Sequence, residues 1–165
     1  MEVLIIKSYY AIFFCLAITL HNLEEALWLP QWSQIGSSFQ KPVTPNEFHF
    51  AVLIITGLAY TISFLYLNFP KTSIVKWAFI GFLGSMIFNA IFPHLVATIF
   101  MKTYAPGLIT ALLLNIPINT LILYRLHTLN SISIKEILIS TVVVGILLLA
   151  IIPILFTLGD TLINY

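Results

Sequence analysis

Apolar residues fill five long blocks of this chain, at roughly positions 4–29, 48–69, 77–101, 106–124 and 137–158, with short polar stretches between them. Each block approaches the ~20 mostly apolar residues that a helix needs to cross a bilayer. Backbone polar groups in lipid must be paired within the segment, and no block shows the alternating pattern of a barrel strand. The pattern therefore predicts an all-α fold, a polytopic transmembrane helix bundle of about five spans forming one domain over 1–165. The first block leads into a carboxylate pair and tryptophans instead of a small-residue cleavage site, so it reads as a retained helix.

The longest connection covers 30–43, and the helix after it has a local start signal. Thr44 is placed to cap, Pro45 takes the first helical position, Glu47 completes a capping box, and Val43 and Phe48 are spaced for a hydrophobic staple. Pro106 with Gly107 reads as a second helix start, after a turn at 102–105.

Composition agrees with the blocks: 60% of residues are hydrophobic and 8% charged, far below the ~25% charged of a soluble domain. A net charge of +1 without a basic cluster excludes nucleic acid as a partner. Cys15, the single cysteine, rules out an intrachain disulfide and a thiolate metal cluster. With five spans, one side carries Lys7, Lys71, Lys76, Arg125 and Lys135 and the other only Lys41 and Lys102. The richer side is expected in the cytoplasm. The N-terminus is then cytoplasmic, and the 30–43 loop and the C-terminus with Asp160 lie outside the cell membrane. Arg125 and His127 read as residues of a solvated cytoplasmic turn.

Polar residues inside the blocks carry the candidate chemistry. At 100° per residue, Glu24 lies about 60° to one side of His21 and Glu25 about 40° to the other, so all three share a face. Trp28 and Trp32 read as interfacial anchors. They put His21 about 10 Å below the outer surface, and His94, eight residues before Lys102, falls about 12 Å below the same surface. His49 opens the second helix on that side, nearer the interface. No Lys or Arg lies in the interior of a span, so Glu24 and Glu25 need protonation, a histidinium, water, a metal or a cationic substrate as compensation. Pro93 removes a backbone donor and unpairs the Asn89 carbonyl directly before His94. Gly81, Ser85 and Asn89 form a stripe suited to close helix packing, and Asn115 and Asn119 flank Pro117 on one face, suited to interhelical hydrogen bonds.

These residues resemble a known family, the bacterial HXXEE membrane proteins, through His21-Asn22-Leu23-Glu24-Glu25, a second histidine at His94, and the element Tyr104-Ala105-Pro106-Gly107. The resemblance runs from the first helix to the fourth. It implies an integral membrane protein in which these positions matter, and it assigns no reaction.

Two functions fit the residues. In the first, His21 and His94 with Glu24 or Glu25 hold a divalent zinc or iron ion, the other glutamate is the general base, and the protein is a metal-dependent hydrolase or isomerase for a lipid-like or amphipathic substrate drawn from membrane lipid. His49 is then a further ligand or a proton shuttle, with Asn89, Tyr104 and Asn115 in support. A metal-free version uses His21 and a carboxylate as acid and base. In the second, the chain is a non-enzymatic transporter or a binder of cations or small molecules, because intramembrane Glu and His also mark ion paths. Against transport, the inner halves of the spans show no ionisable residues and no inverted repeat.

Overall fold

A computed structural model describes residues 2–35 and 41–163. Five helices follow in chain order: α1 (Glu2–Ile35), α2 (Pro45–Asn68), α3 (Ser73–Met101), α4 (Leu108–Thr128) and α5 (Ile134–Ile163). All five are long and apolar enough to cross a membrane, α1 over Tyr9–Ile35, and no strand occurs among the described residues. The chain is a multi-pass, all-helical membrane protein.

The start of α2 follows the local signal. The Thr44 hydroxyl accepts from the Glu47 N–H at 3.2 Å, and the Glu47 carboxylate accepts from the Thr44 N–H at 2.6 Å. The same device starts α5, where Ser133 and Glu136 form a reciprocal pair at 2.8 and 3.1 Å and Lys76 of α3 adds an ion pair to Glu136 at 2.8 Å. This helix therefore begins at Ile134, earlier than position 137. Arg125 and His127 belong to the last turn of α4, not to the loop beyond it.

The end of α1 departs from expectation. Helix continues through Pro30 to Ile35, shortening the 30–43 connection. A proline inside a helix leaves the carbonyl four residues back without its donor, here that of Ala26. His49 from α2 supplies one, its Nε2 lying 2.8 Å from the Ala26 oxygen.

Helices α3 and α4 are irregular in facing places. In α3 the turns widen over Ala90–Leu95, with Phe92 in an extended conformation (φ −127°, ψ 116°) before Pro93. In α4 they widen over Ala111–Asn115, just ahead of Pro117. Each proline lacks an N–H, so the ladder around it cannot keep its ordinary spacing.

Packing differs along the bundle. Phe14, Ile18, Phe79, Phe82 and Leu83 are fully buried. Phe14 meets Phe79 and Phe82 edge-on at 5.6 and 5.5 Å, and Tyr66 stacks on Phe79 at 4.3 Å. Gly81 and Gly84 let α3 press against α5, since a Cβ on Gly81 would reach within 2.5 Å of the Ser140 carbonyl oxygen and one on Gly84 would overlap Thr141. Ser85 adds a bond to the Thr141 carbonyl at 3.3 Å. Asn89, the third member of that stripe, serves the histidines instead.

Candidate metal centre

His21 projects from the middle of α1 and is wholly buried, and His94, leaving α3 just beyond its break, is 3% exposed. Their rings meet edge-on with centroids 5.0 Å apart. Glu25, one turn beyond His21, reaches both: its Oε1 lies 3.8 Å from the His21 Nε2 and 3.1 Å from the His94 Nε2. One donor atom from each of His21, Glu25 and His94 falls within 4.8 Å of the others.

The orientation of His21 is set from outside the cluster. Its Nδ1 lies 3.1 Å from the Gly107 carbonyl oxygen and 3.2 Å from the Thr110 hydroxyl. A carbonyl only accepts, so Nδ1 carries the proton and Nε2 turns a bare lone pair toward Glu25 and His94. Metal-binding histidines are held in the same way, by a partner on the far ring nitrogen. Asn89 sits across from this, its amide nitrogen 3.1 Å from both Nε2 atoms. The Glu25 carboxylate, which only accepts, lies at the same 3.1 Å from the His94 Nε2, so in the absence of a metal that nitrogen donates to Glu25. Deprotonated, it would join the His21 Nε2 and the Glu25 carboxylate as a third donor toward one cation. Two imidazole nitrogens and one carboxylate oxygen fit zinc or iron and leave coordination positions open.

Glu24 takes a different direction. Its Oε1 accepts from the Gly107 N–H at 2.9 Å, its Oε2 from the Thr110 N–H at 3.0 Å and the Thr110 hydroxyl at 2.6 Å, and the Tyr104 hydroxyl also donates to it. The Tyr104 oxygen in turn accepts from the Ile109 N–H at 3.2 Å. A helix begins with N–H groups that have no partner inside it, and here a carboxylate and a phenol from outside α4 satisfy three of them. Negative charge is also favoured at that end of the helix dipole. With its oxygens so engaged, Glu24 is withdrawn from the ligand and base roles that the sequence left open to it, and Glu25 is the carboxylate facing the histidines. Burial first, then this bond to Glu24, pushes the Tyr104 phenol up to about 12.

Gly107 closes the cluster from above. Its φ of +91° belongs to the left-handed region that favours glycine. A Cβ there would lie 2.8 Å from His94, 2.9 Å from Glu25 and 2.9 Å from His21. The N–H of this one residue holds Glu24 while its carbonyl holds His21.

His49, expected as a further ligand or a proton shuttle, is exposed, lies outside the His21–Glu25–His94 cluster and bonds the Ala26 carbonyl of the proline-interrupted α1. Asn115 and Asn119 are fully buried, yet neither amide finds a hydrogen-bond partner among the described residues, so the expected interhelical bonds are not formed. Sequence reasoning missed Thr110, whose position three residues after Gly107 puts it in the first turn of α4. It also missed Asn22, the second motif residue, which donates to Thr56 of α2 at 2.7 Å.

A family model described as a protein of unknown function with HXXEE motif matches residues 12–122. The chain belongs to the HXXEE family. It is 64% identical over 152 residues to a Bacillus subtilis (strain 168) protein named Uncharacterized protein YrkK, covering 92% of this chain and 96% of that relative. No solved structure matches it. In this HXXEE protein the motif's first histidine and last glutamate face His94, while its first glutamate anchors the turn before α4.

Proposed function

We propose that this HXXEE protein is a metal-dependent membrane hydrolase acting on a lipid-like, amphipathic substrate. The observation that carries the reading is the convergence of the His21, Glu25 and His94 donor atoms within 4.8 Å. Beside them lies a cavity of about 410 Å³ lined by Glu25 and His94 together with apolar groups such as Phe92, Phe100 and Met101. A divalent zinc or iron ion held there would lower the pKa of a coordinated water towards about 7.

The side chains have distinct tasks in this reading. His21 and His94 hold the ion, and the Gly107 carbonyl keeps the His21 ring from turning. Glu25 would help to hold the ion and would accept the proton of the attacking water, since Glu24 is held in the turn. Asn89 is close enough to steady a polarised substrate oxygen. The apolar wall seats the hydrocarbon part and keeps bulk water out. The distribution of basic residues supports a site opening to the outer leaflet, with the N-terminus in the cytoplasm.

Metal analysis of purified protein tests the proposal. Wild type is expected to carry about one zinc or iron per chain, and His21→Ala, His94→Ala and Glu25→Gln to lose it. Wild type that holds no stoichiometric metal after purification from metal-replete cells overturns it. Lipid profiles of cells with and without the protein should reveal an accumulating substrate that wild type clears and these variants do not.

One observation favours a second reading, a cation or proton carrier: the unpaired amides of Asn115 and Asn119 continue the line of polar groups along α4 away from the cluster. Proton-coupled uptake lost in both Glu25→Gln and Asn119→Leu would select it.

A further inference from the structure

The end of the Asn89 side chain lies 3.1 Å from the Nε2 atoms of both His21 and His94. Five residues along a regular helix set side chains about 140° apart, and the widened turns over Ala90–Leu95 bring His94 round to the side of Asn89. The two nitrogens that Asn89 faces differ. The His21 Nε2 offers a lone pair, because the proton of that ring is on Nδ1 beside the Gly107 carbonyl, while the His94 Nε2 donates to Glu25. With its nitrogen inward, the Asn89 amide donates to His21 and sets N–H against N–H at His94. Turned over, with Oδ1 inward, it accepts from His94 and sets lone pair against lone pair at His21. Neither orientation satisfies both nitrogens, and the two have nearly the same shape.

We propose that Asn89 is the fourth ligand of the metal centre, binding the ion through Oδ1. This rests on the metal-dependent reading and completes its donor set as two nitrogens and two oxygens. A cation removes the conflict at the amide, since both Nε2 atoms then turn lone pairs toward it and only the carbonyl side of the amide faces it without repulsion. Spacing agrees. Donors that share an ion through bonds of ~2.1 Å stand ~3.0–3.4 Å apart, from an octahedral to a tetrahedral shell. Asn89 lies 3.1 Å from each histidine nitrogen, and the Glu25 Oε1 lies 3.1 and 3.8 Å from them. With four protein donors, water has its place in a shell expanded to five, which catalytic zinc sites permit. The N–H groups of an amide bound through oxygen stay available to a substrate oxygen.

The Zn²⁺ affinity of the full chain in detergent micelles, measured by chelator competition, tests this. Asn89→Leu should weaken binding at least about tenfold. Asn89→Asp keeps an oxygen in place and removes both N–H groups, and it should bind at least as tightly as wild type. A side chain that only hydrogen-bonded the Nε2 atoms would compete with the ion for their lone pairs, so its loss would leave affinity unchanged or raise it. Either result in Asn89→Leu overturns the proposal, and so does Asn89→Asp binding as weakly as Asn89→Leu. Asn89→Ala carries the same expectation as the leucine variant and replaces it if that chain does not fold. Zinc bound equally by wild type and Asn89→Leu, yet lost on His94→Ala, refutes the fourth ligand alone. Zinc binding that depends on Asn89, in a protein whose presence changes no lipid in the cell, refutes the hydrolase alone.

Discussion

Around Phe14 and Phe82, helices α1 and α3 meet through fully buried rings, and the contact involves no polar side chain. Seven residues further along each helix, the same pair meets through His21 and Asn89 at 3.1 Å. Two turns, or about 10 Å, separate the two contacts. At the aromatic end, lipid tails compete for the same apolar surfaces, so what holds the helices is the fit of shapes and summed dispersion. At the polar end each group has fixed partners at hydrogen-bonding distance, and a buried group that loses them finds no replacement in lipid. The aromatic end should therefore tolerate apolar exchange at constant volume. The polar end should fail on changes that keep volume and alter only a donor or acceptor.

The largest expected effect comes from emptying the aromatic end. Phe82→Ala should lower the unfolding free energy by about 3–5 kcal/mol, measured by denaturant titration in mixed micelles, with metal content per folded chain unchanged. Loss of metal from the folded fraction would mean that the two regions are not separable.

Glu24→Gln reverses that pattern at nearly constant volume. It sets an amide against donors that now meet a carboxylate, which should weaken metal retention about 10- to 100-fold and cost about 1–3 kcal/mol of stability. Retention equal to wild type in a chelator competition would show that the turn does not depend on the Glu24 charge.

Tyr104→Phe is the mildest change, removing one donor to Glu24 and costing about 1 kcal/mol. The wild-type phenol is raised to about 12, above the ~10 of an unfolded tyrosine. The folded state thus holds this proton more tightly, and the linked stabilisation is complete below pH ~10 and lost as pH rises through about 12. A difference absorbance titration, wild type minus Tyr104→Phe, should show one phenol ionising near the upper value. A difference curve centred near 10 would detach Tyr104 from Glu24.

Helix ends show how much of the fold could be read locally. The Thr44 box is legible because its partners lie three residues apart, and the Ser133-Ile134-Lys135-Glu136 box carries the same signature just ahead of the apolar run from position 137. Pro30 would be a stop in an isolated helix. What lets α1 continue is a donor from another helix, the His49 ring on the Ala26 carbonyl.

The candidate centre divides in the same way. Periodicity and span length are properties of neighbouring residues, and they determined the five helices, the shared face of His21, Glu24 and Glu25, and the common depth of His21 and His94. Angles of 60° and 40° about a helix cannot say which glutamate meets the histidine of another span. That was decided by the approach of α4, whose unpaired N–H groups draw Glu24 one way while His94 draws Glu25 the other. The Gly107 carbonyl that orients His21 belongs to the backbone, which residue identity does not reveal. Its partner was set only when α1 and the turn before α4 packed together, because a hydrogen bond between distant segments depends on their relative placement in space.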